Sequence, residues 1–379
     1  MFVESLILSI NTKAVSEVLA VVYGIILAGG RGERFWPLSR NKRPKQFLKL
    51  TSDKMMLEET IDRVRPLIPL EQMRIVTGEQ MKVPILENIS DITEDHILSE
   101  PIGRNTAPAI GLAAAHLYKT DPEAIMVVLS SDHLIRPLEK LLKIIEAGTR
   151  IAASDDALIT IGVVPTRPET GYGYIKMGNL FRQENGYEVH QVSAFTEKPN
   201  AAVASEYYYS SDYLWNSGMF VWSAKTILQA IKDCDPQLGE GLDVYMEKIG
   251  TADETVARKR FYEEVRNVSI DFAVLEKATN VFTIKADIVW DDVGGWRALE
   301  RYKELDSENN VVVGNVVTEG TFETTVCNYA DGLIACLGVS DLIIVRSDNI
   351  TLVAHRSKAA EIKKLLARLS ENEDSRKYL

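Results

Sequence analysis

Six cations fall within fifteen residues of an otherwise acidic chain: Arg31, Arg34, Arg40, Lys42, Arg43 and Lys45, against the single acid Glu33. They belong to the segment LAGGRGERFWPLSRNKRPKQFLKL, residues 27–50, which follows the apolar run VVYGII. Gly29, Gly30 and Gly32 permit close backbone approach, and successive N–H groups there can face an anion. Arg31 and Arg34 add forked donors, and Lys45 adds a point charge held by the preceding Pro44. This pattern describes a polyphosphate site whose charge comes mainly from side chains; the plainer alternative is a solvated basic loop. Two other phosphate loops are excluded. There is no G-x-x-x-x-G-K followed by Ser or Thr, and Phe35 stands where a dinucleotide fingerprint needs its third glycine.

Other segments carry chemistry with a simpler reading beside it. LSSDHLI (129–135) places Ser131, Asp132 and His133 at the end of a buried strand. An aspartate there can hold a divalent metal against phosphate oxygens, or can cap a helix. WDDVGGW (290–296) has two adjacent acids, Asp291 and Asp292, and two glycines, a ligand-binding loop or a tight turn. TGYGYI (170–175) presents Gly171 and Gly173 with Tyr172 as a platform for a sugar, or a bulged strand pair. FTEKPN puts Glu197 and Lys198 at a strand end, as ligand groups or as a surface ion pair. Asn216 can both donate to and accept from a hydroxyl. Asp271 reads as a helix N-cap or as support for a neighbouring ligand group. His116 and His133 read as structural.

The elements that must position these residues follow from hydropathy. Residues 21–28, 73–78 and 124–132 are continuous apolar strands, and helical patterns cover 55–65 and 107–119. Alternation of such strands with helices predicts a parallel sheet covered on both faces, with the functional loops at the carboxyl ends of its strands. Residues 29–45, 100–106 and 131–133 would gather there. Further strands are expected at 157–165, 171–177, 189–199 and 218–224, and a mostly helical stretch over 225–280. From 311 the texture changes to closely spaced short strands, with Asp331-Gly332 as a hairpin turn and a final amphipathic helix over 357–370. The organisation predicted is a leader over 1–20, a main domain over 21–305, and a small β-rich, β-helix-like domain over 306–379 that ends in the helix.

Composition bounds the function. The chain has 379 residues, 46% hydrophobic and 26% charged, as in soluble globular proteins. A net charge of −11 argues against general nucleic-acid or anionic-membrane binding, so the basic cluster calls for a small anionic ligand. The N-terminal segment is interrupted by Glu4, Asn11, Lys13 and Glu17, too broken for a membrane span. Cys234, Cys327 and Cys336 lack metal-type spacing, which fits a reducing, cytoplasmic setting without structural zinc.

Together, G-x-G-x-R with its downstream P-K, EPIGRNTAPAIGLAA (100–114), FTEKP (195–199), NSGMFVW (216–222) and WDDVGGW resemble the sugar-nucleotidyltransferases, and within them the mannose-1-phosphate guanylyltransferase family. The motifs occur in the family's order, and the resemblance covers residues 22 to about 370. It implies an α/β fold: a Rossmann-like mixed, mostly parallel sheet with helices on both faces. It implies GTP and mannose 1-phosphate as substrates and Mg2+ as cofactor, held by Asp132 and Asp292. Leu27, Gly29, Gly30, Gly32, Arg34, Glu100, Asn105 and Thr106 would meet the nucleotide, with Glu100 reading guanine. Gly171, Tyr172, Gly173, Glu197, Asn216 and Asp271 would meet the sugar, Lys198 its phosphate, and Arg31 with Lys45 the leaving pyrophosphate. Many bacterial relatives carry an additional cupin-type isomerase domain; this chain is expected to be monofunctional, with a homodimer formed through the C-terminal domain. Two other readings stay open: a nucleotidyltransferase using UTP or dTTP with glucose 1-phosphate, and a catalytically silent nucleotide-sugar-sensing subunit. Glu100 and RNTAPA discriminate the first; retained cations and aspartates speak against the second.

Overall fold

The computed structural model describes residues 20–379; the leader expected over 1–20 lies, but for its last residue, outside them. Eleven strands precede residue 305: β1 Val22–Leu27, β2 Met73–Gly78, β3 Ile97–Glu100, β4 Ile125–Ser130, β5 Leu134–Arg136, β6 Leu158–Val163, β7 Gly173–Glu184, β8 Tyr187–Glu197, β9 Tyr213–Ser223, β10 Val281–Ala286 and β11 Val289–Asp291. Nine of them form one sheet in the order β3-β2-β1-β4-β9-β6-β10-β8-β7. The expected parallel sheet is its first half, since β1 to β4 run parallel. Beyond β4 the sheet is mixed: β9 is antiparallel to both β4 and β6, and β10 is parallel to β6 but antiparallel to β8.

The apolar runs are continuous because both sheet faces are covered. In β4, Ile125, Val127 and Leu129 enter one core with Leu57 and Ile61 from the helix Met56–Val64. Met126 and Val128 enter a second core under the helices Thr106–Thr120 and Ala224–Cys234. Of the several elements that escape the sequence reading, two build the cores. One is the helix Leu138–Ser154, whose Leu141, Ile144, Ile145 and Ile151 are buried at helical spacing. The other is β10, a short apolar run that periodicity alone cannot assign.

A two-stranded ribbon sets the site. β5 and β11 pair antiparallel, Leu134 opposite Asp291 and Ile135 opposite Trp290. Asp132 lies just before β5 and Asp292 just after β11, so this register brings two sequence-distant acids to one place.

After residue 305 come β12 Val311–Val313, β13 Val316–Glu319, β14 Thr325–Asn328, β15 Ile334–Leu337, β16 Leu342–Ser347 and β17 Ile350–His355. Here the hairpin expected at Asp331-Gly332 is corrected. β14 pairs in parallel with β12 and β16, and β15 in parallel with β13. The turn therefore joins strands of two different sheets, with Gly332 at φ 96° rounding the corner. Successive coils stack rather than fold back, which is a β-helix; among the described residues of this part only β16 and β17 make an antiparallel pair. The helix Ile362–Glu371 follows. A third apolar core spans both parts, joining Phe35, Trp36, Leu38, Val293 and Trp296 to Val311, Cys327, Ile343, Val345 and Leu352.

Candidate active site

The cationic segment leaves β1 at the carboxyl end of the sheet and closes on itself. Gly32 has φ 64°, and a Cβ there would lie 2.2 Å from Lys45 Cβ, so only glycine fits where the two limbs of the loop meet. Ser39 Oγ donates to Gly32 O at 2.6 Å, and Gln46 Nε2 donates to Ala28 O at 2.9 Å. Lys45 is buried, and its ammonium makes two hydrogen bonds: Nζ donates to Asp132 Oδ2 at 2.7 Å and to Asp292 O at 2.6 Å. Arg31, Gly32, Arg34, Lys45, Asp132 and Asp292 all line one cavity of about 440 Å³.

Asp132 is followed by β5 and not by a helix, so the capping alternative is removed. Burial opposes its ionisation, but the Lys45 ammonium beside it and the hydrogen bond that ammonium donates hold the carboxyl below the ordinary range. His133 is buried, which pushes its pKa down and keeps it neutral. Trp290 Nε1 donates to His133 Nδ1 at 3.2 Å, so the proton resides on Nε2, 4.0 Å from Asp132 Oδ1. Asp291 points away, to Arg301 and Arg167, and accepts from Val293 N at 2.8 Å.

Tyr172 is not an open platform. Its ring is buried edge-on against Trp215 and Trp290. Its hydroxyl donates to Asp292 Oδ1 at 3.0 Å and accepts from Arg167 at 3.1 Å. Lys198 N donates to Tyr172 O at 3.2 Å, which ties the FTEKP turn to the aspartates. The Lys198 side chain is exposed and paired with Glu197. Glu197 and Asn216 flank Gly173, where a Cβ would lie 2.5 Å from Glu197 Oε2 and 3.4 Å from Asn216 Cβ. Asn216 Nδ2 donates to Asp271 Oδ1 at 2.7 Å. Asp271 begins a short π-helical turn without capping it, so the N-cap reading fails and its carboxylate orients Asn216. Burial, with Glu197 adding to it, pushes the Asp271 pKa up. Gly171 is exposed, and its N–H is taken by Glu169 Oε1 at 3.1 Å.

On the other side of the loop, Gly29, Gly30 and Arg31 line a cavity of about 280 Å³ with Gln46, Gly78 and Gln80. Glu100 ends β3, and its Oε2 lies 3.5 Å from where a Gly29 Cβ would stand. The residue is buried and its Oε1 has no hydrogen-bond partner among the described residues. Burial drives its pKa up to about 7, with the nearby Tyr262 hydroxyl opposing the shift. Asn105 and Thr106 are engaged locally: Asn105, at φ 69°, caps the helix by accepting from Thr106 N at 2.8 Å, and Thr106 Oγ1 accepts from Ile270 N at 2.9 Å. Leu27 is committed to the sheet, its carbonyl accepting from Ser131 N at 3.1 Å.

Three residues at the site went unread in the sequence. Arg301 and Arg167 fix Asp291, and neither stands in a motif. Lys363, from the C-terminal helix, lines the same cavity as the two aspartates. No pattern near it signals a ligand.

Comparison with known proteins identifies the family. The family model for Nucleotidyl transferase matches residues 23–309, and that for the MannoseP isomerase/GMP-like beta-helix domain matches 301–369. A mannose-1-phosphate guanylyltransferase of Salmonella montevideo is 36% identical over 350 residues, 91% of this chain and 73% of the relative. The one of Escherichia coli (strain K12) is 35% identical over 357 residues, covering 92% and 73%. A crystal structure from Thermus thermophilus, described as a mannose-1-phosphate geranyltransferase, aligns with a TM-score of 0.82 at 34% identity, covering 92% of this chain and 99% of that one. A two-aspartate cavity behind a cationic glycine loop, the nucleotidyltransferase sheet and its β-helix tail thus converge, and the chain belongs to the mannose-1-phosphate guanylyltransferase family of nucleotidyltransferase enzymes.

Proposed function

We propose that this enzyme transfers GMP from GTP to mannose 1-phosphate, giving GDP-mannose and pyrophosphate. The observation that carries the reading is the convergence of Arg31, Arg34, Lys45, Asp132 and Asp292 on one cavity. A phosphate oxygen of the sugar phosphate attacks the α-phosphorus; that P–O bond forms as the α–β bridge breaks, and the electron pair leaves on pyrophosphate. A phosphate monoester has its second pKa at about 6, so the nucleophile is largely ionised at neutral pH and no general base is required. The chain must align two polyanions and neutralise the charge that develops. Lys198 suits the sugar phosphate, Glu197 and Asn216 the hydroxyls, and Arg31 with Lys45 the leaving group. Glu100, with an orphaned buried oxygen, suits the two adjacent donors of guanine, N1–H and the 2-amino group, better than a pyrimidine edge. Asn105 and Thr106 shape that pocket through the helix they begin.

Asp132 and Asp292 fit a divalent ion. No group of three His, Cys, Asp or Glu side chains among the described residues could hold one by itself. Magnesium characteristically takes one or two carboxylates and completes its shell with substrate phosphates and water. Bound there, it would supply charge neutralisation between the two substrates' phosphates.

No helix of the described residues is long and apolar enough to cross a membrane. Three free thiols accord with the cytoplasm as the setting. The β-helix exposes Val317, Leu333 and Leu337, a surface suited to a second copy in a homodimer.

Pyrophosphate release, measured over a matrix of nucleoside triphosphates and hexose 1-phosphates with magnesium, tests the reading. GTP with mannose 1-phosphate should give the highest kcat/KM. Preference for UTP or dTTP with glucose 1-phosphate would replace it, and silence across the matrix would leave a sensing role.

A further inference from the structure

The cavity that holds Lys45, Asp132 and Asp292 is lined by one residue from beyond the nucleotidyltransferase sheet, Lys363. It stands in the first turn of the C-terminal helix Ile362–Glu371. That helix is fixed against the cationic loop: Leu366 and Leu369 pack on the core containing Phe35 and Trp36, and Trp36 Nε1 donates to Tyr378 O at 2.8 Å. Lys363 Nζ lies 3.5 Å from Glu33 Oε2, with 62% of the lysine side chain and 37% of the glutamate exposed. A second cavity of about 310 Å³, lined by Arg31, Glu33, Trp36 and Lys363 among others, lies on the other side of this pair.

Glu33 is the one acid in a loop otherwise built for anions, and it faces the phosphate cavity. Its partner holds it weakly, because an exposed pair at this separation contributes little. A triphosphate brings several negative charges to the same cavity. An ammonium on a flexible stem, already at the rim, gains more from those oxygens than from one solvated carboxylate. We propose that Lys363 exchanges Glu33 for the terminal phosphates of the nucleoside triphosphate, so that the β-helix domain supplies a substrate-binding cation to the nucleotidyltransferase site. Pyrophosphate, as the leaving group, occupies the same position. The inference rests on the proposed reaction insofar as that reaction uses a triphosphate and releases pyrophosphate; it is indifferent to which base and which sugar are used.

Inorganic pyrophosphate binding to the full chain, measured by calorimetry with magnesium, is the direct test. Lys363→Ala should weaken binding about tenfold, and Lys363→Arg should retain most of it. In turnover, Lys363→Ala should raise KM for the triphosphate by a similar factor and leave KM for the sugar phosphate nearly unchanged. Glu33→Gln should tighten pyrophosphate binding by releasing the lysine. If Lys363 merely docks the helix, Lys363→Ala lowers the melting temperature with no split between the two KM values, and the proposal fails. Equal pyrophosphate binding by wild type and Lys363→Ala overturns it alone. No pyrophosphate binding by the wild-type protein overturns it together with the proposed reaction.

Discussion

Glu100 is a carboxyl whose surroundings oppose its charge. It is buried beside Gly29, one oxygen lacks a partner among the described residues, and burial lifts its pKa from 4.5 to about 7. The folded value lies above the unfolded one. Its contribution to stability is therefore fullest below about 4.5 and is lost as pH rises through about 7. If Glu100 reads guanine as proposed, the base reverses this balance, because N1–H and the 2-amino group both donate and favour the carboxylate. Binding must then expel a proton wherever Glu100 is protonated in the free enzyme. GDP-mannose is a suitable probe, since its diphosphate carries no group titrating near neutrality. Its affinity should be about tenfold weaker at pH 6 than at pH 8, the fraction of Glu100 ionised setting the ratio. Calorimetry in buffers of different ionisation enthalpy should record proton release near pH 6.5. In Glu100→Gln the pH slope should vanish and the affinity fall. A slope that survives this substitution assigns the proton to another group; a flat wild-type profile removes Glu100 from the base site.

At the scale of elements, the site depends on the β5–β11 ribbon and on what supports it. Register alone brings Asp132 to Asp292. Their orientation depends on neighbours: Lys45 bridges the Asp132 carboxylate and the Asp292 carbonyl, while the Tyr172 hydroxyl holds Asp292 Oδ1. Val293, next in sequence, is buried with φ 46°, a costly conformation for a β-branched residue that persists only where packing enforces it. Tyr172→Phe removes the hydroxyl and keeps the ring between Trp215 and Trp290. A hydrogen bond to a charged group is worth about 1.5–3 kcal/mol, so kcat should fall roughly tenfold or more, with a melting temperature lowered by a few degrees and the fold retained. Unchanged kcat would show that Asp292 needs no such support. Tyr172 also marks where sequence reading stops. The strands β1, β2 and β4 are legible because both faces are buried and their runs are continuous. Asp132 and Asp292 are legible as acids at strand ends, but it is the resemblance, not their local context, that singles them out for one ion. The direction of a tyrosine ring is not legible, since the same GYG turn serves a surface platform or a core wedge, and Trp215 and Trp290 decide it from distant strands. Asp331-Gly332 misled for a related reason: the dipeptide specifies a turn, but not whether the next strand pairs with the last one or with another coil.

At the scale of the molecule, the β-helix shares an apolar core with the loops that line the candidate site. The third core joins Phe35, Trp36 and Leu38 of the cationic loop, and Val293 and Trp296 beside Asp292, to Val311, Cys327, Ile343, Val345 and Leu352. Trp296 Nε1 donates to Trp36 O at 3.0 Å, so the loop bearing the cations and the loop bearing Asp292 are fixed to one another inside that core. Polar contacts reinforce the seam: Arg40 to Asp348 at 2.7 Å, and Arg356 to Glu300 through two bonds of 2.7 and 3.0 Å. Domains that share an apolar core cannot unfold independently, because separation would expose those aromatics to water. Heating should therefore produce one transition, with loss of activity at the same midpoint. Ile343 tests the coupling. It is fully buried in the β-helix and belongs to none of the substrate sites. Ile343→Ala should cost about 2–5 kcal/mol by lost burial and cavity formation, lowering the melting temperature by several degrees. If the core is shared, the activity midpoint must move down by the same amount, and fluorescence from Trp215 and Trp222, buried in the nucleotidyltransferase sheet, must follow it. A low-temperature transition that spares activity and tryptophan fluorescence would show that the β-helix melts alone and that the cationic loop holds its shape without it.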